Sequence, residues 1–412
     1  MQILYTILVA LAQAFLPVVA IFNPKIKQFY KGRKQTFDKL QTAIESGDKT
    51  IWMHCASLGE FEQGRPVLEA LKAQYPSHKI ILTFFSPSGY EIRKNYPLAD
   101  VIVYLPLDSL KNARRFVKTT HPDLAIFVKY EFWPNLLNTL RHKKIRSILI
   151  SGIFRENQVF FRKNKPWFRK PLQSFSHFFV QNNNSVALLK SIGFSNVTNN
   201  GDTRFDRVYK ILQNRKRLEF IAGFTKNHHT LVAGSTWPKD EALLVKYINE
   251  KATDQERFII APHNISTAGL EQLKKNLTPK TLLYSQAQTR NNTAAHVLII
   301  DSIGILSQVY AYADVAYVGG GFGAGIHNIL EPATYGIPIV MGPNYQKFQE
   351  AKDLIQLKAC FEIDNYNQLE KTLQKIRENA LFREDSGKTA AEYIQKNRGA
   401  TEKIMEYVKK VL

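Results

Sequence analysis

The sequence predicts an α/β fold built from two doubly wound, Rossmann-like domains facing a cleft. Three observations predict it. The chain has 412 residues, too many for one ordinary core and suited to two domains of about 150–200 residues each. Short continuous apolar runs rich in Val and Ile suit strands buried on both faces. Amphipathic segments separate these runs, which is the rhythm of parallel crossover connections.

The elements follow in order. Met1 to Pro24 carries no charged side chain, and Ile3 to Phe22 is apolar over about 20 residues, enough to span a bilayer. Basic residues follow at once in "NPKIKQFYKGRKQ", a pattern that keeps what comes next on the cytoplasmic side. This predicts a membrane anchor or a bilayer-buried monotopic helix. A helix docked on the protein's own surface and a cleaved signal, which would lack its basic n-region, are the competing readings. In the first half strands are predicted at 50–54, 79–85, 100–106, 123–130, 146–151 and 177–181. In the second half they are predicted at 229–235, 257–263, 281–285, 296–301, 314–321, 337–343 and 359–363. The join falls near "NVTNNGDTRFD" (196–206), and the last helical segment is long enough to cross back onto the first domain. The expected organisation is an apolar segment 1–24, a first domain 25–203, a second domain 204–390 and a returning helix 391–412.

Charge narrows the partners. The net charge of +21 favours polyanions, whether nucleic acid, anionic lipid or a phosphorylated substrate. The segment "RENQVFFRKNKPWFRKPLQSF" (155–175) interleaves basic and aromatic residues, which suits single-stranded nucleic acid or an anionic membrane. The apolar N-terminus in the same half favours the membrane. Cys55 and Cys360 are the only cysteines, lack metal spacing and suit a reducing compartment.

In open α/β sheets ligands bind beyond the carboxyl ends of the strands. The richest such turn is "VGGGFGAGIHNILEPATYGIPIVMGP" (318–343). Glycines let a backbone approach a phosphate, and a helix opening near Asn328 supplies unpaired N–H groups. Glu331, in the first turn, can accept two hydrogen bonds from a ribose diol, or merely offset the helix dipole. In "AGSTWPKDE" (233–241), Ser235 and Thr236 are candidate caps or phosphate contacts. "IIDSIGIL" (299–306) can frame a planar base. "FVKYEFWPNLL" (127–137) sets Lys129 and Glu131 on alternate, same-facing positions at a strand end. Arg204 suits a phosphate, or a hinge salt bridge with Asp202 or Asp206. "HCASLGEFEQG" (54–64) ends a strand and places Glu60 in the first turn of a helix, as a cap or as a base.

The stretches "HCASLGE", "EFWPN", "GDTRFD", "AGSTW" and "HNILEPATYGIPIVMGP", in this order, resemble the Kdo transferases, which move 3-deoxy-D-manno-oct-2-ulosonic acid (Kdo) from CMP-Kdo to the lipid A precursor in lipopolysaccharide synthesis. The resemblance covers essentially the whole chain. It implies a glycosyltransferase-B fold, with the acceptor on the first domain and CMP-Kdo on the second. It implies Glu60 as general base, and CMP contacts from Pro262, His263, Ile303, Gly304, Ile305, Asn328, Ile329, Leu330 and Glu331. Three positions depart from the family pattern. His263 stands where Arg is frequent, Lys129 where many members have an acid, and Arg204 where many have Lys. The implied partners are CMP-Kdo, the lipid A precursor (lipid IVA) and an anionic membrane surface, with no nucleic acid, at the cytoplasmic face of the inner membrane.

The chemistry expected is a single displacement with inversion. Glu60 takes the acceptor proton, while Arg204 and the helix starts of the second domain stabilise the departing phosphate. A carboxylate at a helix N-terminus is expected to stay ionised at neutral pH. Glu62, elsewhere around the same helix, is expected to be dispensable. No D-x-D motif occurs, and this reaction needs no metal and no cofactor. Two other classes fit parts of the pattern. A UDP-sugar hexosyltransferase or epimerase fits the fold and the glycine turn, and a non-catalytic nucleic-acid-binding protein fits the charge.

Overall fold

The computed structural model describes residues 2–162, 166–290 and 295–412. Lys163, Asn164 and Lys165 of the basic–aromatic segment lie outside the described residues. The chain divides into two compact units, Met1–Arg207 with Arg398–Leu412, and Val208–Asn397.

The first unit holds a parallel sheet of order β3-β2-β1-β4-β5-β6-β7. Its strands are β1 (Thr50–Cys55), β2 (Lys79–Phe84), β3 (Val101–Tyr104), β4 (Leu124–Val128), β5 (Arg146–Gly152), β6 (His177–Val180) and β7 (Val197–Asn199). All six residues of β1 and all five of β4 are buried, as both-face burial requires. Alternate side chains feed two cores. Trp52 packs edge-on to Phe116 and Phe127, at 4.8 and 5.0 Å between ring centroids, on one face. Met53, Phe61 and Phe84 fill the other.

The second unit repeats the plan in the order β10-β11-β9-β8-β12-β13-β14. Its strands are β8 (His229–Thr236), β9 (Glu256–Pro262), β10 (Thr281–Leu283), β11 (Val297–Ile299), β12 (Val315–Val318), β13 (Ile339–Met341) and β14 (Cys360–Glu362). Every apolar run named above forms a strand. The exception to the pattern is β7, which lies in the stretch read as the join. It is a three-residue edge strand without an apolar run, and only its pairing with β6 defines it.

The join also shifts. The helix Thr203–Gln213 runs unbroken across it, and the units part at 207/208 rather than 203/204. Asp206 explains this, because its carboxylate accepts from the backbone N–H of Gly399 (2.7 Å) and Thr401 (2.6 Å) and ties the helix start to the returning chain. The return begins at Arg398 rather than at 391, since the helix Ala380–Lys396 belongs to the second unit. The helix Ala400–Val411 then buries Ile404, Met405 and Val408 in the first unit's core.

The N-terminus forms α1 (Gln2–Phe22) and α2 (Pro24–Lys34), followed by α3 (Thr36–Ala43). Ile3–Phe22 is long and apolar enough to cross a membrane, and only 6% of that stretch is buried. Its few polar groups hold it to the first unit. Tyr5 donates to Asp108 (2.9 Å), Thr6 donates to Asn135 (3.2 Å), and Asn112 donates to Gln13 (3.3 Å). The apolar side, including Leu8, Phe15 and Val18, is exposed.

Candidate active site

The first unit gathers two carboxylates at the carboxyl edge of its sheet. The helix α4 (Leu58–Gln74) starts directly after β1, with Ser57 as N-cap and Glu60 in the first turn. The Glu60 carboxylate reaches back to accept from the N–H of Ala56, the residue before the N-cap. The expectation that this holds the acid low is overturned. Burial, aided by the charge of Glu131, pushes Glu60 up to about 7. The Ala56 and Ser57 N–H groups and Lys129 oppose the rise without cancelling it. Desolvation of the carboxylate outweighs the helix start.

Glu131 is held firmly beside it. One of its oxygens accepts from His54 Nε2 (3.0 Å) and from the Trp133 indole N–H (2.7 Å). His54 is fully buried on β1, and its Nδ1 lies 2.8 Å from the Thr83 hydroxyl, which also accepts from the Trp52 indole at 2.8 Å. A carboxylate only accepts, so in the neutral ring the proton sits on Nε2, and Nδ1 takes the Thr83 hydrogen. The result is a buried chain from Trp52 through Thr83 and His54 to Glu131. Sequence reading missed His54 and Thr83, although His54 opens the very motif that contains Glu60.

Lys129 and Glu131 do not alternate along a strand. β4 stops at Val128, and Lys129 has φ +64° with its N–H donating to the Ile150 carbonyl (3.0 Å). That reversal puts Glu131 on a loop. Arg204 has its fork on Asp202, with Nε at 2.8 Å and Nη2 at 2.7 Å. Of the two hinge partners weighed, Asp202 is engaged, and Asp206 also serves the returning chain. Glu62 is not idle. It bridges Arg93 (2.8 Å) and Arg207 (2.9 Å).

The second unit gathers its candidates at the ends of β8, β9, β11 and β12, four neighbouring strands. Ser235 and Thr236 do not cap the following helix Pro238–Lys251. The N-cap is Trp237, whose N–H donates to Asp240 (2.9 Å), while Thr236 donates to Glu241 (3.0 Å). Asp240 is fully buried and also accepts from Gly320 N–H (2.9 Å) and Tyr317 hydroxyl (2.8 Å), fastening the glycine turn to this helix. The glycines answer mainly to backbone packing. A Cβ on Gly319 would lie 2.3 Å from the Ser235 carbonyl, and one on Gly321 would lie 2.6 Å from Gly342 Cα. The first three are thus needed for the turn itself.

Beyond the turn a short helix, Leu330–Ala333, opens two residues after Asn328 and carries Glu331 in its first turn. Asn328 accepts from Leu330 N–H (3.3 Å) and donates to Glu331 (3.0 Å), which aligns that carboxylate. Pro262 ends β9. His263 stacks on Trp237 (4.5 Å, 19°) and lies 4.5 Å from the His327 ring. The Trp237 indole donates to His327 Nε2 (3.0 Å), and burial lowers the proton affinity of His327. Trp237 and His327, both missed in sequence, join the candidate contacts into one aromatic wall. Ile303 is 93% exposed beside Gly304 and Ile305 at the end of β11. Among the described residues no group of three or more His, Cys, Asp or Glu is placed to hold a metal.

Residues 29–207 match the family 3-deoxy-D-manno-octulosonic-acid transferase (kdotransferase). A 3-deoxy-D-manno-octulosonic acid transferase of Aquifex aeolicus is 28% identical over 358 residues, covering 84% of this chain and 92% of the relative. One from Haemophilus influenzae is 24% identical over 434 residues, covering 99% and 98%. The chain is thus similar to Kdo transferases over most of its length. It is a glycosyltransferase. The solved UDP-GlcNAc 2-epimerase of Neisseria meningitidis superposes with a TM-score of 0.62 at 14% identity, covering 88% of this chain and 100% of that one. MurG of Acinetobacter baumannii superposes with a TM-score of 0.55 at 13% identity, covering 88% and 99%. At such identities the structures speak for the fold alone, the two-sheet glycosyltransferase-B architecture. Glu60, Glu131 and the chain from Trp52 all lie inside the stretch that matches this Kdo transferase family.

Proposed function

We propose that this Kdo transferase moves Kdo from CMP-Kdo to a hydroxyl of the lipid A precursor in lipopolysaccharide synthesis, at the cytoplasmic face of the inner membrane, with Glu60 as general base. The observation that carries the reading is the half-buried Glu60 carboxyl, its proton affinity raised to about 7, beside a fixed second carboxylate. A base works best when its pKa lies near the operating pH.

The domain reading assigns the acceptor to the first unit and the nucleotide sugar to the second. Glu60 removes the acceptor hydroxyl proton as that oxygen forms a bond to the anomeric carbon of Kdo. The bond from that carbon to the CMP phosphate breaks, and CMP leaves with the electron pair. Attack opposite the leaving group inverts the centre. Glu131, oriented by His54 and Trp133, keeps the proton affinity of Glu60 high, and Lys129 limits that rise. Arg204, pre-oriented by Asp202, is assigned to the departing phosphate. Ser235, Thr236, Pro262, His263 and the Ile303–Ile305 and Asn328–Glu331 stretches are assigned to CMP, with Glu331 on the ribose diol. The exposed apolar side of α1 and the lysines after it are assigned to the membrane.

The test is product mass spectrometry after incubation with lipid A precursor and CMP-Kdo generated in situ. Wild type is expected to yield the Kdo-bearing product, and Glu60→Gln to yield almost none. Near-wild-type turnover by that variant sinks the base assignment. Transfer from a UDP-sugar instead of CMP-Kdo sinks the donor assignment.

A further inference from the structure

The first unit carries a cavity of about 490 Å³ between α2, the start of α3 and the helix Pro87–Arg93. Four lysines line it, Lys27, Lys31, Lys39 and Lys94, against one carboxylate, Glu91. Glu91 takes Lys94 at 2.9 Å, and Lys39 donates to the Tyr90 hydroxyl at 2.8 Å. The remaining positive charge of this cavity has no acidic group within its lining to meet it.

The wall is built into the fold. A Cβ on Gly32 would lie 2.2 Å from the Tyr104 ring, so α2 lies this close to β3 only with glycine there. Arg33 lies 3.3 Å from the centroid of the Phe29 ring and donates to the Phe85 carbonyl at 2.7 Å. The Thr36 hydroxyl donates to the Tyr104 carbonyl at 2.9 Å. The cavity also sits where apolar surface gives way to charge. α2 follows α1 directly, and the last residues of α1, Ile21 and Phe22, are 73% and 82% exposed. Tyr104 ends β3, so the cavity adjoins the same carboxyl edge of the sheet that carries Glu60 and Glu131. An exposed apolar helix end next to a lysine-lined hollow matches the boundary between acyl chains and headgroups.

We infer that this cavity binds the phosphate group of a membrane lipid, with Lys27, Lys31 and Lys39 as its cationic contacts. The inference rests on the reading that the exposed side of α1 lies in the bilayer. Lysine ammoniums are compact point charges that suit a phosphate, and each is strengthened at a surface bearing anionic lipid. A phospholipid headgroup and a phosphorylated glycolipid share this chemistry.

The test is vesicle co-sedimentation of the full chain. The vesicles are phosphatidylcholine alone, phosphatidylcholine with phosphatidic acid, phosphatidylcholine with a fatty acid at matched surface charge, and phosphatidylcholine with the phosphorylated lipid A precursor. Wild type is expected to bind the first weakly and the phosphate-bearing vesicles about tenfold more tightly. Lys27→Gln/Lys31→Gln/Lys39→Gln should lose that gain. Lys274→Gln/Lys275→Gln/Lys371→Gln, which removes the same charge from the second unit, should keep it. A gain from phosphatidic acid alone names a phospholipid as the source, and one from the precursor alone names the glycolipid. Equal losses in the two triple variants, or an equal gain from the fatty acid, overturns the proposal. If wild type binds no vesicle, the membrane reading fails and takes the proposal with it. If it binds and the variants do not differ, only the cavity assignment fails.

Discussion

The carboxyl edges of the two sheets are built alike and equipped differently. In the first unit the edge holds half-buried acids, Glu60 and Glu131, with a hydrogen-bonded chain from Trp52 fixing the second. In the second unit the edge holds rings and backbone, with the exposed Trp237 and His263 stacked against the half-buried His327 beside a glycine turn pinned by Asp240. One edge raises a proton affinity, whereas the other is built of stacked rings and a glycine turn, the edge assigned above to the donor. The same strand order serves both, so the division of labour lies in what stands at the strand ends.

The largest test of that contrast is Glu60→Gln. Loss of a positioned base should lower transfer by about 10²–10⁴-fold while leaving donor affinity, measured by titration, unchanged. A fall in donor affinity would blur the contrast. Next is the pH profile of kcat/KM. Only the carboxylate accepts a proton, so the rate should fall about tenfold per pH unit below about 7 and level off above it. Glu131→Gln removes the like charge and should move that acid limb toward lower pH. An unmoved limb would show that Glu131 does not set the affinity of Glu60.

The second edge is tested by Trp237→Ala and Glu331→Ala. Each should weaken donor binding by about tenfold, roughly 1–2 kcal/mol, with less effect on kcat at saturating donor. If kcat falls and donor affinity holds, the second edge takes part in the chemistry. A smaller effect separates Glu62 from Glu60 on the same helix. Glu62→Gln leaves Arg93 and Arg207 without their shared carboxylate and should cost about 1–2 kcal/mol of stability, read as a lower Tm. An unchanged Tm would restore Glu62 to the role of a bystander.

The smallest and most diagnostic effect is on the stability of Glu60→Gln itself. A carboxyl held above its ordinary range in the fold contributes stability at low pH and loses it as pH rises through about 7. Wild type is therefore penalised above pH 7 by at most about 3 kcal/mol, less whatever solvent screens. The variant cannot ionise, so its Tm should exceed that of wild type at pH 8 and match it at pH 5. Equal Tm values at both pH values would mean that the site does not hold the acid under tension.

Much of this was legible in the chain. Apolar runs such as "TIWMH" and "LAIFV" announce strands buried on both faces, because no other element needs so short and so unbroken an apolar stretch. The turns after those strands announce where to look, and "HCASLGE" and "HNILE" carry the resemblance to the Kdo transferases. β7 was illegible, since a three-residue edge strand owes its existence to a neighbour rather than to its own residues. So was Lys129, where a positive φ broke the alternation that its sequence position implied.

What the sequence determined by itself was the set of elements, the two-sheet plan and the placing of Glu60 at a helix start, because these depend on local pattern and on neighbours in the chain. What only the tertiary structure decided was the state of that acid. The helix start argues for a low pKa, and burial beside Glu131, 71 residues further along the chain, argues for a high one. Desolvation wins because it depends on everything packed around the group, and that sum exists only once the chain has folded.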